Sequence, residues 1–246
     1  MREKFLSFFL FVILTLSPIW SWSGKTHERI VENALNYLPR EFQRKILPYK
    51  EEVLKGSIAP DRVYRDFQNH IYEVETRKGK GVEKVREKYY HIISLIREKR
   101  PWRLVAFELG VFSHYISDLN QPLHTSSSYQ EKGFHSKYEK DAEQITPRKV
   151  KSLSFISKPA FYIFNSIKSA HSYYKDIERA YTKGEGFRSI SFLTQKQIDK
   201  AVEDTVNYWY SVWIRANRVP TLEDLWNDFV DFLFLFINKI FAIEVR

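Results

Sequence analysis

Apolar residues recur every three or four positions along most of this chain, the period of one face of a helix, and no stretch of any length alternates as a strand does. Ile30, Val31, Ala34, Leu35 and Leu38 mark the first such face, and Thr26 is placed to cap a helix beginning near His27. Pro39 and Pro48 bracket a second helical segment, and Gly56 is expected to close the next. In GSIAPD, residues 56–61, Pro60 argues against a continuous helix and puts Asp61 on a turn. A basic loop around Gly79 and Gly81 precedes a stripe of Val85, Tyr89, Ile92, Ile93 and Ile96. After Pro101, a suitable first-turn residue, Trp102, Val105, Leu109 and Phe112 line a helix that leads into His114 and should end by Pro122. Ser152 to Tyr174 and Thr194 to Ala216 have the same period, with Trp209 and Trp213 as core positions. Thr221 and Asp224 make a capping box with the shorter acid. The last helix is strongly apolar but broken by Asp231, Asn238 and Lys239, which suits a packed or interfacial helix better than a membrane span. The expected fold is all-α, a single multi-helix bundle.

A chain of 246 residues with 43% hydrophobic and 16% aromatic side chains has enough apolar surface for one domain with a substantial core. Its first residues pattern differently. Arg2 and Lys4 precede an apolar run from Phe5 to Leu16, and Ser17 to Ser21 offers a cleavage region. Residues 1–21 are therefore expected to be a signal peptide and residues 22–246 the domain, exported to a periplasmic or extracellular destination. An uncleaved anchor is the alternative, with an apolar run shorter than the roughly 20 residues that a span needs. The net charge of +9 favours anionic partners such as a phospholipid surface, nucleic acid or a phosphorylated metabolite, without choosing among them. With no cysteine, disulfides and zinc thiolates are excluded, and any zinc must be held by His, carboxylate or backbone atoms.

Candidate chemistry concentrates in FSHYISDLNQPLHTSSSYQEKGFHSKYE, residues 112–139. His114 and Asp118 are four apart, as are His135 and Glu139, so on a helix each pair projects from one face. His124 stands between them. One such pair is ordinarily a solvated face or a hydrogen-bonded contact. Two pairs with a further His favour a cation, and imidazole with carboxylate is a ligand set suited to zinc. His27, at the start of an apolar face, reads by itself as a hydrogen-bonded core histidine. His70 has Asp66 four residues before it, a rival to Asp61, whereas His91 and His171 have no ligand spacing.

Together these pieces resemble the bacterial zinc-dependent phospholipase C family, whose fold is shared with zinc-dependent single-strand nucleases. The matching pieces are Trp22 with His27 five residues on, GSIAPD ending in Asp61, His70, HYISDLNQPLH from His114 to His124, and GFHSKYE from Gly133 to Glu139. The resemblance implies a helical bundle holding three zinc ions. Asp61, His70, His114 and Asp118 would bind one, and His124, His135 and Glu139 a second. His27, Asp118 and the amino group and carbonyl of Trp22 would bind the third, with Asp118 bridging. Cleavage before Trp22 then matters, because an amide nitrogen is a far poorer ligand than an amine. Asp61 is the implied general base, and activation of water by the metals alone is the simpler alternative.

The implied activity is that of an exported phosphodiesterase cutting a glycerophospholipid between glycerol and phosphate. The short loop between His124 and His135 fits the phospholipases better than the nucleases. The interval from Asp61 to His70 is shorter than the family's usual one. Lys25 and Arg62 stand near the places where characterised phospholipases recognise choline, so the resemblance does not extend to the head group. A single-strand nuclease is the alternative, and a non-catalytic membrane-associated helical protein is a third reading. The chain is expected to act as a monomer, with membrane-surface contact through its last helix.

Overall fold

The computed structural model describes residues 22–126, 130–148 and 153–244, and the expected signal peptide at residues 1–21 lies outside them. Among the described residues there are ten α-helices and no strand. The first four are α1 (Gly24–Leu35), α2 (Arg40–Ile46), α3 (Lys50–Ala59) and α4 (Gly81–Arg97). They are followed by α5 (Trp102–Asp118), α6 (His135–Ala142), α7 (Pro159–His171), α8 (Tyr174–Thr182), α9 (Phe187–Ala216) and α10 (Leu222–Glu244). Their buried faces meet in one core around Phe42, Tyr89, Phe112 and Trp209, so the described chain is the all-α bundle that the helical periodicity predicts.

The bundle is organised on α5. From Leu109 to Asp118 every residue of this helix is buried, including Ser113, His114, Ser117 and Asp118. A helix buried on all sides sits at the centre of a bundle, and its polar residues must find partners there. Helix α3 packs most extensively against it. The contact is made by Gly56 and Gly110, where a Cβ would stand 2.1 Å from the carbonyl oxygens of Phe107 and Val53 respectively. Gly56 therefore does not close its helix, as expected from the sequence, but lets two backbones touch.

Pro60 departs from expectation too. Helix α3 runs to Ala59 and widens at once into a π-type turn, Pro60–Tyr64, which stops at Arg65 in the left-handed region with φ 51°. Proline already has the helical φ, and the wider turn relieves its missing N–H and its ring. Asp61 consequently stands on an extension of α3, aimed along a helix, instead of on a loop. Of the segment expected to be helical from Ser152 to Tyr174, Ser152 lies outside the described residues, the helix α7 starts only at Pro159, and a turn after His171 separates it from α8, which begins at Tyr174; α9 begins at Phe187, earlier than Thr194. The capping box before α10 is formed: Thr221 N–H donates to Asp224 Oδ2 at 2.9 Å and Asp224 N–H donates to Thr221 Oγ1 at 3.1 Å. No helix among the described residues is long and apolar enough to cross a membrane.

Candidate metal centre

Helix α5 presents His114 and Asp118 on one face, one turn apart, beneath the end of α3. His114 Nε2 lies 3.1 Å from Asp118 Oδ2, and His70 Nδ1 lies 2.8 Å from the same oxygen. The two ring nitrogens are 3.1 Å apart, and Asp61 Oδ1 is 3.6 Å from each. On the other side of the same carboxylate, His27 Nε2 is 3.3 Å from Asp118 Oδ1, and the His27 ring stacks on His114 at 4.1 Å. A second cluster comes from the short turn Pro122–His124 and from α6, where His135 Nε2 lies 2.8 Å from Glu139 Oε1. Among the described residues, three sets of side chains bring nitrogen or oxygen atoms within 4.8 Å of one another. They are His27, Asp61 and His114; His70, His114 and Asp118; and His124, His135 and Glu139.

These spacings suit a metal. Ligands about 2.0–2.2 Å from a tetrahedral ion stand roughly 3.3–3.6 Å from each other. The ring nitrogens also have their outward sides occupied. His114 Nδ1 meets the Ser57 carbonyl at 2.7 Å, His124 Nδ1 the His70 carbonyl at 3.0 Å, and His27 Nδ1 the Ser117 hydroxyl at 2.8 Å. Such contacts fix the tautomer and turn Nε2 inward. Nε2 of His124 is buried and has no hydrogen-bond partner. Leaving such an atom unsatisfied costs about 1–3 kcal/mol, unless a cation takes its lone pair.

Electrostatics points the same way. Burial holds His124 down at about 4, so its ring is neutral and its lone pair available. Burial also lowers His27, with the neighbouring His114 adding to the effect. Burial opposes ionisation of Asp118, yet His114 and His27 outweigh it and hold this carboxyl well below the ordinary range. The same carboxylate, with Asp61, lifts His114 to about 10 against the pull of burial. Without a metal, a proton on His114 supplies the positive charge that buried Asp118 and the neighbouring Asp61 require.

Every residue singled out as a ligand in the sequence is in or beside this region. Trp22 is buried and its indole N–H donates to the Ser117 carbonyl at 3.0 Å, so the start of the described chain is pinned next to His27 and Asp118. Asp66, the rival carboxylate, instead accepts from the Tyr115 hydroxyl at 3.0 Å and from the Asn69 amide. His171 pairs with Glu75 at 3.1 Å, and His91 is exposed.

Three supporting residues escaped the sequence reading. Glu131 Oε1 is 2.8 Å from His135 Nδ1, and its other oxygen accepts from the Tyr174 hydroxyl at 2.7 Å. Ser117 joins Trp22 to His27. Glu131 could have been found, since it precedes His135 by four residues. Tyr174 and Ser117 had no such signal.

A family model described as zinc dependent phospholipase C matches residues 26–181. Among curated relatives, a phospholipase C of Bacillus cereus is 28% identical over 155 residues, covering 52% of this chain and 54% of the relative. A second phospholipase C of Bacillus cereus is 32% identical over 111 residues, 39% of each chain. The matched part thus spans about half the length of the first of these relatives. Among solved structures, the alpha toxin from Clostridium absonum aligns with TM-score 0.58 at 15% identity, over 82% of this chain and 68% of that one, a likeness of fold. With more than half of its length matched, every candidate ligand but Trp22 inside the match, and an all-α bundle around them, this chain belongs to the zinc-dependent phospholipase C family.

Proposed function

We propose that this protein is an exported zinc-dependent phosphodiesterase of the phospholipase C type. It hydrolyses glycerophospholipids between glycerol and phosphate, releasing diacylglycerol and a phosphorylated head group. Residues 1–21 are its signal peptide, and residues 22–246 its catalytic domain, acting as a monomer at a phospholipid surface outside the cytoplasm or in the periplasm. The observation that carries this reading is the convergence of buried imidazoles and carboxylates on α5, with ring nitrogens aimed at one another across about 3 Å.

Asp61, His70, His114 and Asp118 would hold one zinc, and His124, His135 and Glu139 a second. His27, Asp118 and the terminal amine and carbonyl of Trp22 would hold a third. Zinc held there supplies Lewis acidity towards phosphoryl oxygens and makes a bound water acidic, towards a pKa of about 7. The chain's residues do the rest. Asp118 offers both oxygens, one to each neighbouring set of histidines, and its burial keeps water from screening it. Asp61, at the less buried edge of the cluster, stays ionised because His114 outweighs the effect of burial. It is thus able to accept a proton from an attacking water. Ser57, Ser117 and Glu131 hold the imidazoles in register.

The decisive experiment combines metal analysis of the mature protein with paired assays on mixed-micelle phospholipid and single-stranded DNA. About three zinc per chain and lipid turnover are expected, with both lost in His114→Ala. Zinc-free protein, or undiminished lipid hydrolysis in that variant, would sink the proposal. Nuclease turnover without lipid turnover would replace it with the nuclease reading.

A further inference from the structure

Helix α10 is built inside out. Asp224, Asp228 and Asp231 follow one another at helical spacing, and they face the bundle. Asp224 is clamped by Arg218 at 2.6 Å, Asp228 by Arg215 at 2.7 Å, and the wholly buried Asp231 by Arg86 at 3.0 Å. The Phe161 backbone N–H also donates to Asp231, at 3.0 Å. The opposite face, from Leu222 to Phe241, is a continuous apolar stripe with a period of three and four. Trp226 is 64% exposed, Phe229 and Phe236 54% each, and Phe232, Ile240 and Phe241 are exposed as well. A single exposed apolar residue needs no explanation, but a stripe along a 23-residue helix does.

Cations border the stripe. Arg77 lies over the Phe241 ring at 5.0 Å and Arg86 over Phe232 at 5.9 Å. Between α10 and residues 68–83 runs a cavity of about 910 Å³, with Phe164 and Phe234 among its apolar walls and Arg77, Lys78, Lys80 and Lys239 at its rim. Asp224, Asp228 and Asp231 are thus turned inward and neutralised, which leaves Glu223 in the first turn as an exposed acid, while the rest of the solvent side combines apolar and basic groups. That combination matches an anionic lipid interface, where aromatic side chains enter the acyl boundary and cations meet phosphates. A second copy of this chain fits less well, because a two-fold contact along the stripe would set the same basic rim against itself.

We propose that α10 docks this protein on anionic phospholipid bilayers, lying flat at the interface with Trp226, Phe229 and Phe236 inserted and the 77–80 cations on head-group phosphates. The inference rests on the phospholipase reading only for why a lipid surface is useful. The docking itself is independent of catalysis and deepens that reading by naming the surface.

Trp226 supplies the test. Vesicles of phosphatidylglycerol and phosphatidylcholine with brominated chains should quench the wild-type chain, and the quenched component should be missing in Trp226→Phe, which separates this contact from any made by residues 1–21. The double variant Phe229→Ser and Phe236→Ser should bind these vesicles at least tenfold more weakly while cleaving a soluble monomeric phosphodiester at the wild-type rate. Lys78→Glu with Lys80→Glu should abolish the preference over pure phosphatidylcholine vesicles. Unchanged binding in the Phe229 and Phe236 variant would overturn the proposal, as would vesicle binding without a Trp226 component. A Trp226 signal already buried before vesicles are added would also overturn it, showing that another copy or the chain's own leader covers the stripe. Vesicle docking without hydrolysis of any phosphodiester would leave α10's role standing and remove the enzymatic reading, whereas hydrolysis of the soluble substrate without docking would do the reverse.

Discussion

Replacing Gly110 with alanine tests whether the metal centre depends on how closely α3 and α5 approach. A Cβ at Gly110 would stand 2.1 Å from the Val53 carbonyl oxygen, where ordinary contact begins at 3.4 Å. The obstacle is helix backbone, which cannot swing aside as a side chain can. The two helices must therefore separate by on the order of 1 Å. That matters because α5 carries His114 and Asp118 whereas the extension of α3 carries Asp61, and metal–ligand distances tolerate only about 0.2 Å. Overpacking of this kind costs about 1–3 kcal/mol, which for a domain of this size lowers Tm by roughly 2–4 °C per kcal/mol. Gly110→Ala should accordingly melt several degrees early and also lose zinc from the proposed Asp61, His70, His114 and Asp118 site. Gly133→Ala, where a Cβ meets nothing within 4 Å, is the control and should change neither. Differential scanning calorimetry with zinc analysis by mass spectrometry reads both quantities. A Gly110→Ala protein with wild-type Tm and full zinc would show that the helix crossing does not set the site.

Zinc binding should release protons. Burial opposes charge on His114, but Asp118 and Asp61 outweigh it and raise its pKa to about 10, so the zinc-free ring carries a proton at neutral pH that a metal must displace. Apparent affinity should climb by up to about tenfold per pH unit for each proton released, and calorimetric titrations in buffers of different ionisation heat would detect the release. For a raised pKa the stabilising ion pair is complete below the unfolded value near 6.5 and fades as pH rises through the folded value. The zinc-free protein should therefore lose stability from roughly pH 6.5 to 10. Flat affinity and flat stability across that range would contradict this account. Glu131→Gln keeps the shape of the side chain but removes the charge that faces His135 Nδ1. Zinc affinity at the His124, His135 and Glu139 cluster should fall about 10–100-fold, and competition with a chelator would show it. Unchanged affinity would mean that Glu131 serves packing only.

Much of the site was legible because its ligands obey local rules. His114 with Asp118, and His135 with Glu139, are i, i+4 pairs, so helical periodicity alone puts each pair on one face before any long-range contact is known. The capping box at Thr221 and the apolar faces of α1, α4 and α5 are local in the same sense. Gly56 and Pro60 were misjudged because propensity treats both as breakers. At Gly56 the missing side chain is used for contact with α5, and at Pro60 a wider turn removes the strain that would end the helix.

By itself the sequence determined the helical class, the ligand-capable residue types and their pairing within each helix, because these depend on spacings of three and four residues. Only the tertiary structure decided which carboxylate joins His70 and His114, since Asp66 is the nearer to His70 in sequence and yet Asp61 is the one that reaches both rings, the two acids standing on opposite sides of the left-handed residue Arg65. It alone revealed that Tyr174 braces Glu131 behind His135, and that α10 turns Asp228 and Asp231 inward. Those are contacts between distant segments, and they exist only once the core has set the helices against one another.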